Sequence, residues 1–165
     1  MPIKVAINGF GRIGRLVFRI MEEDKDFEVV AINDLTDSEQ LSYLLKYDSN
    51  HRLYNKIVDY DEEGIIIDGH KVKIYSELDP SNLPWSTLGI DVVFECTGKF
   101  TNVDKAMDHI NAGAKKVIIS APAKGEAKTI VYNVNDDILD GNEKIISAAS
   151  CTTNCLAPVL KIIDD

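Results

Sequence analysis

Apolar residues in this chain gather into short runs between polar and glycine-rich breaks, and the period of each run assigns an element. Ile3–Asn8 (IKVAIN) reads as a strand, and Gly9-Phe10-Gly11-Arg12-Ile13-Gly14 follows it directly. A helical pattern covers residues 15–23, with Ile13, Leu16, Val17 and Ile20 as its apolar face. Phe27–Asn33 (FEVVAIN) is a second strand ending at Asp34, which completes a βαβ unit. Ser38 is placed as the N-cap of a helix running to about Tyr47, with Leu41, Leu44 and Leu45 facing inward.

The period then changes. Residues 56–60, 65–67 and 70–74 read as short strands parted by Asp61-Glu62-Glu63-Gly64 and Asp68-Gly69. An Asp-Gly pair between apolar runs is a strong hairpin signal, so residues 56–74 are read as an antiparallel insertion. Asp79-Pro80 and Leu83-Pro84-Trp85 read as turns. Residues 90–96 follow as a buried strand, 102–111 as a helix ending at Gly113, and 116–120 as a strand. A weak strand at 129–132, a last strand at 144–148 and a helix at 154–163 complete the chain, the helix carrying Leu156, Val159, Leu160 and Ile163 on its apolar side. Buried strands alternating with helices predict an α/β fold with a doubly wound, mostly parallel sheet of the Rossmann type.

Composition narrows the function classes. The 165 residues, 45% hydrophobic and 7% aromatic, suffice for one core without disulfides or metals. A net charge of −9, with no basic run, disfavours a nucleic-acid surface. No apolar stretch approaches bilayer length, and Met1-Pro2-Ile3-Lys4 enters a strand without a charged and apolar leader. Three cysteines do not form a secreted disulfide framework. The expectation is a cytoplasmic protein with reduced thiols that engages neither nucleic acid nor membrane.

The glycine loop gains meaning from its setting. It follows a strand, opens a helix, and is followed by the strand-end acid Asp34, 25 residues after Gly9. Gly9 permits the tight turn, Gly11 lets a pyrophosphate approach the backbone, and Gly14 lets helix pack on strand. The amides of Arg12 and Ile13 face the phosphates at a helix N-terminus. Asp34 accepts a ribose diol and repels a 2′-phosphate, which favours NAD over NADP. A tight strand–helix turn with a solvated Asp is the bland alternative.

Cys151 lies where the last strand passes into the last helix, a position whose free amides and dipole favour a thiolate. Ser150, Thr152 and Thr153 add hydroxyl donors suited to a phosphate or an oxyanion. A cysteine at such a turn is more often a small apolar filler, and Cys96 is read that way. Cys155, four residues on, is read as buried support or an oxidation-sensitive neighbour; ligands for a metal are lacking. A nucleophilic cysteine needs a base. His51 and His70 fall in or beside the hairpin region and His109 on a surface-like helix, each read as solvated or structural.

Six segments together resemble glyceraldehyde-3-phosphate dehydrogenase across the whole chain. They are Asn8-Gly9-Phe10-Gly11-Arg12-Ile13-Gly14-Arg15, Ile32-Asn33-Asp34, Tyr47-Asp48-Ser49, Glu95-Cys96-Thr97-Gly98, Ile119-Ser120-Ala121-Pro122 and Ala149-Ser150-Cys151-Thr152-Thr153-Asn154. The resemblance implies that Cys151 attacks the aldehyde of glyceraldehyde 3-phosphate, that NAD takes the hydride, and that phosphate cleaves the thioester to give 1,3-bisphosphoglycerate. It implies substrate and phosphate contacts from Ser150 and Thr152. Arg12, Ile13 and Asp34 would hold pyrophosphate and adenosine ribose, Leu78 would lie near the adenine, and Thr97, Gly98 and Ser120 would line the dinucleotide path. Family members commonly carry a basic residue where Leu78 stands and a glycine where Arg52 follows His51.

Family members run to about twice this length and are homotetramers. Residues 1–150 are accordingly expected to form the NAD-binding domain, and residues 151–165 a helix leading to a catalytic domain outside this sequence. On that expectation the chain binds NAD and is inactive alone. A relative acting on erythrose 4-phosphate and a non-catalytic, NAD-binding or thiol-sensing module are the alternatives.

Overall fold

The computed structural model describes residues 1–164. β1 (Ile3–Asn8), α1 (Arg12–Met21) and β2 (Phe27–Asn33) form the expected βαβ unit, with β1 and β2 parallel. The register between them slips once, at Val5/Ala6, so that Val5 pairs with Val29 but Ala6 with Ala31. α2 (Ser38–Lys46) follows, then a separate antiparallel ribbon of β3 (Tyr47–Asp48) and β4 (Arg52–Leu53). β5 (Val58–Asp61), β6 (Gly64–Ile67) and β7 (His70–Tyr75) make the predicted antiparallel insertion. Its tight turn is Asp68-Gly69, with φ of 49° and 88°, the left-handed pair that matches strand twist.

The second half contains α3 (Trp85–Leu88), β8 (Val92–Glu95), α4 (Val103–Asn111), β9 (Lys116–Ile119), β10 (Lys128–Thr129), β11 (Ile145–Ser147) and α5 (Cys151–Asp164). One nine-stranded sheet runs β10-β11-β9-β8-β1-β2-β7-β6-β5, parallel from β10 to β7 and antiparallel beyond. Chain order reverses at β1, with β2 on one side and β8 on the other. That switch point is where doubly wound sheets open a crevice at their carboxyl edge.

Side chains alternate across the sheet into two cores. Val5 and Ile7 of β1 join Phe18 of α1 and Leu41 and Leu45 of α2, while Ala6 joins Trp85, Val93 and Ala106 on the opposite face. Phe10 and Phe18 meet edge-to-face at 5.5 Å between ring centres, both fully buried. Truncating Phe18 to Ala would cost about 3–5 kcal/mol.

Several sequence expectations shift. α1 buries Gly14, Phe18 and Met21, whereas Ile13 and Ile20 are exposed. Gly14 sets that rotation: a Cβ there would lie 2.1 Å from the Gly9 carbonyl oxygen, so only glycine can press the helix onto the loop. Asp37, not Ser38, caps α2 by accepting the Gln40 amide at 2.7 Å, and the Ser38 hydroxyl donates to the Asp61 carbonyl instead. The segment read as turns contains α3, whose Trp85 is fully buried and whose end is closed by Gly89 in the left-handed region. Arg52 itself adopts φ 62°, the conformation a glycine would take without strain at the position where the resemblance has one.

α5 begins three residues before the predicted start and places Cys151 in its first turn. None of its described residues is buried, and Leu156, Val159, Leu160 and Ile163 are exposed. Cys155 is exposed too, which overturns its reading as buried support.

Candidate functional site

β1, β2 and β8 end side by side in polar residues, because the register aligns Asn33 with Asn8 and Asn8 with Glu95. Above this row opens a cleft of about 290 Å³, lined by Asn8, Gly9, Gly11, Asp34, Leu78 and Thr97 among others. Gly9 turns at φ 90°, and a Cβ there would meet the Thr97 amide at 2.7 Å, so the glycine allows the β1 and β8 loops to touch. Nothing lies within 4 Å of where a Gly11 Cβ would be, which leaves that stretch of backbone open to a ligand.

α1 starts here without a side-chain cap, and its first internal bond is from the Arg15 amide to the Gly11 carbonyl. The Arg12, Ile13 and Gly14 amides thus have no hydrogen-bond partner among the described residues and stand at the positive end of the helix. Asp34 accepts the Phe10 amide at 2.7 Å and the Thr36 amide at 3.0 Å, one on each oxygen, and lines the cleft. Arg12 reaches out of the loop to Asp48 of β3 at 3.3 Å. Two amides, from His51 and Asn50, with Arg12 adding to them, pull the Asp48 carboxyl down to about 2. These features suit the phosphates and ribose of a dinucleotide.

Of the residues singled out from sequence, Gly9, Gly11, Asp34, Leu78 and Thr97 line the cleft. Arg12, Ile13 and Gly14 sit in the adjoining helix turn, and Gly98, at φ 71°, turns the loop that carries Thr97. The Ser120 amide donates to the Glu95 carbonyl at 3.0 Å, and its side chain draws the Cys96 thiol down against the effect of burial. Burial pushes that thiol up to about 11, which fits its reading as a filler.

Cys151 lies at the carboxyl edge of the same parallel sheet, beyond β11. Ala149 takes φ 62° to make the turn, and Ser150 caps α5 by accepting the Thr153 amide at 3.0 Å. The Ser150 hydroxyl also meets those of Thr152 and Thr153 at 2.8 Å each. Cys151 is exposed just past this cap. No hydrogen bond joins it to a histidine among the described residues. His109, expected on a surface, is fully buried: α4 turns it inward against Trp85, whose indole donates to it at 3.0 Å.

Sequence reasoning passed over Asn8, Asn33, Glu77, Lys99 and Phe100, all of which line the cleft. The signal was present for two of them, since both βαβ strands end in asparagine. Among the described residues no cluster could hold a metal ion, and no helix is long and apolar enough to cross a membrane.

The fold and this cleft define a dinucleotide-binding domain of the Rossmann type. The family model for "Glyceraldehyde 3-phosphate dehydrogenase, NAD binding domain" matches residues 3–103. The glyceraldehyde-3-phosphate dehydrogenase of Clostridium pasteurianum is 57% identical over 162 residues, 98% of this chain and 48% of that protein. That of Thermotoga maritima is 57% identical over 164 residues, and that of Mycoplasma pneumoniae 55% over 163, each again covering 98% of this chain. The chain belongs to the glyceraldehyde-3-phosphate dehydrogenase family, a family of NAD-dependent oxidoreductases. It spans about half the length of the curated relatives it matches.

Proposed function

We propose that this chain holds NAD across the cleft and carries the nucleophilic cysteine of a phosphorylating glyceraldehyde-3-phosphate dehydrogenase. One observation supports this above others: two helix N-termini open at the same sheet edge. α1 offers three unpaired amides beside Asp34, and α5 offers an exposed Cys151 behind its serine cap.

In this reading the Arg12 and Ile13 amides receive the pyrophosphate, and Gly9, Gly11 and Gly14 give it room. Asp34 accepts the ribose hydroxyls and repels a 2′-phosphate. Leu78 lies against the adenine, and Thr97, Gly98 and Ser120 border the path toward the nicotinamide. Cys151 stands in the first turn of α5, at the positive end of that helix. Its sulfur attacks the aldehyde carbon of glyceraldehyde 3-phosphate and forms a C–S bond, giving a thiohemiacetal. NAD, when bound, would supply the hydride acceptor that turns this adduct into a thioester. Inorganic phosphate attacks the acyl carbon, the C–S bond breaks, the thiolate leaves and 1,3-bisphosphoglycerate is released. Ser150 and Thr152 hydroxyls, beside the sulfur in sequence, donate to oxygens of substrate or phosphate.

The thiohemiacetal hydroxyl must lose a proton, and the described residues hold no base bonded to Cys151. His109 is enclosed by Trp85 and Glu95. The 165-residue chain is therefore assigned NAD binding without efficient turnover. Calorimetric titration with NAD, and an assay for reduced NAD with glyceraldehyde 3-phosphate and phosphate, test the two parts. Saturable binding with no turnover is expected. Absent binding would remove the cofactor reading, and turnover at an enzyme-like rate would remove the statement about the base.

A further inference from the structure

Under the cleft, the buried side chains of Asn33, Asn8, Glu95, His109 and Trp85 form a directed chain of hydrogen bonds that the reaction above does not use. Its directions are set by groups with only one option. The Glu77 amide can only donate, so the atom it meets at 2.8 Å is Asn33 Oδ1. Asn33 Nδ2 then donates to the Glu77 carbonyl at 2.9 Å and to Asn8 Oδ1 at 2.7 Å. This turns Asn8 Nδ2 toward Glu95 Oε2. At the other end the Trp85 indole can only donate, so His109 Nδ1 accepts. The single ring proton is on Nε2, 3.3 Å from Glu95 Oε2. The Thr97 amide donates to Glu95 Oε1 at 2.8 Å, and so does the Thr97 hydroxyl, whose own oxygen accepts the Lys99 amide. Asn8, His109 and Thr97 thus converge on one carboxyl group that is 1% exposed, and Asn8 Nδ2 also lies 3.3 Å from His109 Nε2.

We propose that Glu95 is a positioning residue for the cleft, its two carboxyl oxygens orienting both walls at once. Thr97 is held directly. The opposite rim, Glu77 and the adjoining Leu78, is held at a distance through Asn8 and Asn33. The proposal rests on the dinucleotide reading of the cleft, and its test separates the two.

Glu95→Gln keeps shape but places an NH₂ group against the Asn8 and His109 donors. Relief requires Asn8 to flip, then Asn33, which would set an NH₂ against the Glu77 amide. The expected result is an NAD dissociation constant raised about tenfold or more, as for a buried donor left without an acceptor. The Glu77 and Thr97 amides should also exchange hydrogen faster than in the wild type. Asn8→Asp combined with Glu95→Gln moves the acceptor one link along. The carboxylate introduced at position 8 takes the donors of Asn33, His109 and the new amide at position 95, whose oxygen still accepts from Thr97. That pair should bind NAD within about threefold of the wild type, a strong departure from additivity.

Wild-type affinity and wild-type Glu77 exchange in Glu95→Gln would overturn the proposal, and so would a double variant no better than the single. Should Glu95→Gln fail to fold, a folded double variant that binds NAD supports the proposal, and an unfolded one overturns it. If the wild type itself does not bind NAD, the dinucleotide reading fails, and exchange at Glu77 decides the positioning role alone.

Discussion

Asp34 takes the Phe10 amide at 2.7 Å, so the end of β2 is fastened to the glycine loop beside it. One carboxylate therefore shapes the glycine loop and lines the cleft. The acid that sequence motifs associate with ribose also holds the backbone beside it.

Replacing Asp34 with Ala should accordingly weaken NAD binding by two routes, lost ribose acceptance and a slackened loop. A rise of about tenfold or more in the dissociation constant is expected, the scale of lost bonds to a charged group. Asp34→Asn, which keeps an acceptor for Phe10, should fall between Ala and the wild type. Calorimetry decides, and an Asp34→Ala chain with unchanged affinity would take Asp34 out of the site.

Gly14→Ala tests the seat of α1. Its new methyl would sit 2.1 Å from the Gly9 carbonyl oxygen, which is backbone and cannot swing aside. The expected loss is about 3 kcal/mol, at the upper end for overpacking, read from the urea midpoint. NAD affinity should fall as the loop is displaced. A midpoint equal to that of the wild type would mean the helix seats differently.

The three thiols should separate by reactivity. Cys151 and Cys155 are exposed, whereas Cys96 is half-buried and held protonated up to about 11. Brief iodoacetamide treatment followed by peptide mass spectrometry should find label at Cys151 first, given its place behind the Ser150 cap, and at Cys96 last. Preferential labelling of Cys96 would contradict that order.

Acid should destabilise the fold through two named carboxylates. Lys128, with the Asp140 amide, draws Glu143 down to about 2, and the His51 and Asn50 amides do the same to Asp48. Unfolded carboxylates titrate near about 4. Since the folded values lie lower, this stability is present above that range and lost as pH falls from about 4 toward 2. Urea midpoints measured from neutral pH downward should drop across that window, and Glu143→Gln should make the drop shallower. An equally steep drop in that variant would dismiss Glu143 as a contributor.

The strands could be read from the sequence because a strand buried on both faces must be a continuous apolar run. IKVAIN and FEVVAIN admit little else. The glycine loop, Asp34 and the Cys151 turn were legible for a similar reason, as each needs a particular residue type at a particular junction. Helix rotation was less so. In α1 the apolar spacing favoured Ile13 and Ile20, but the Gly14–Gly9 contact outweighs it. α3 has four residues, too few to show a period. The burial of His109 depends on Trp85, 24 residues away in sequence, which no local pattern carries. Asp37 and Ser38 are adjacent cap formers, and the choice between them follows from the Asp61 carbonyl that claims the Ser38 hydroxyl.

The slip between Val5 and Ala6 sets which residues become neighbours at the far end of the sheet. Carried forward without it, the pairing of Val5 with Val29 would bring Asn8 opposite Ile32 and turn Asn33 toward the other core. A single extra residue in β2 thus acts as a frameshift in space. It replaces an amide facing a hydrocarbon side chain with two amides facing each other, and the link from Asn8 across to Asn33 is downstream of it.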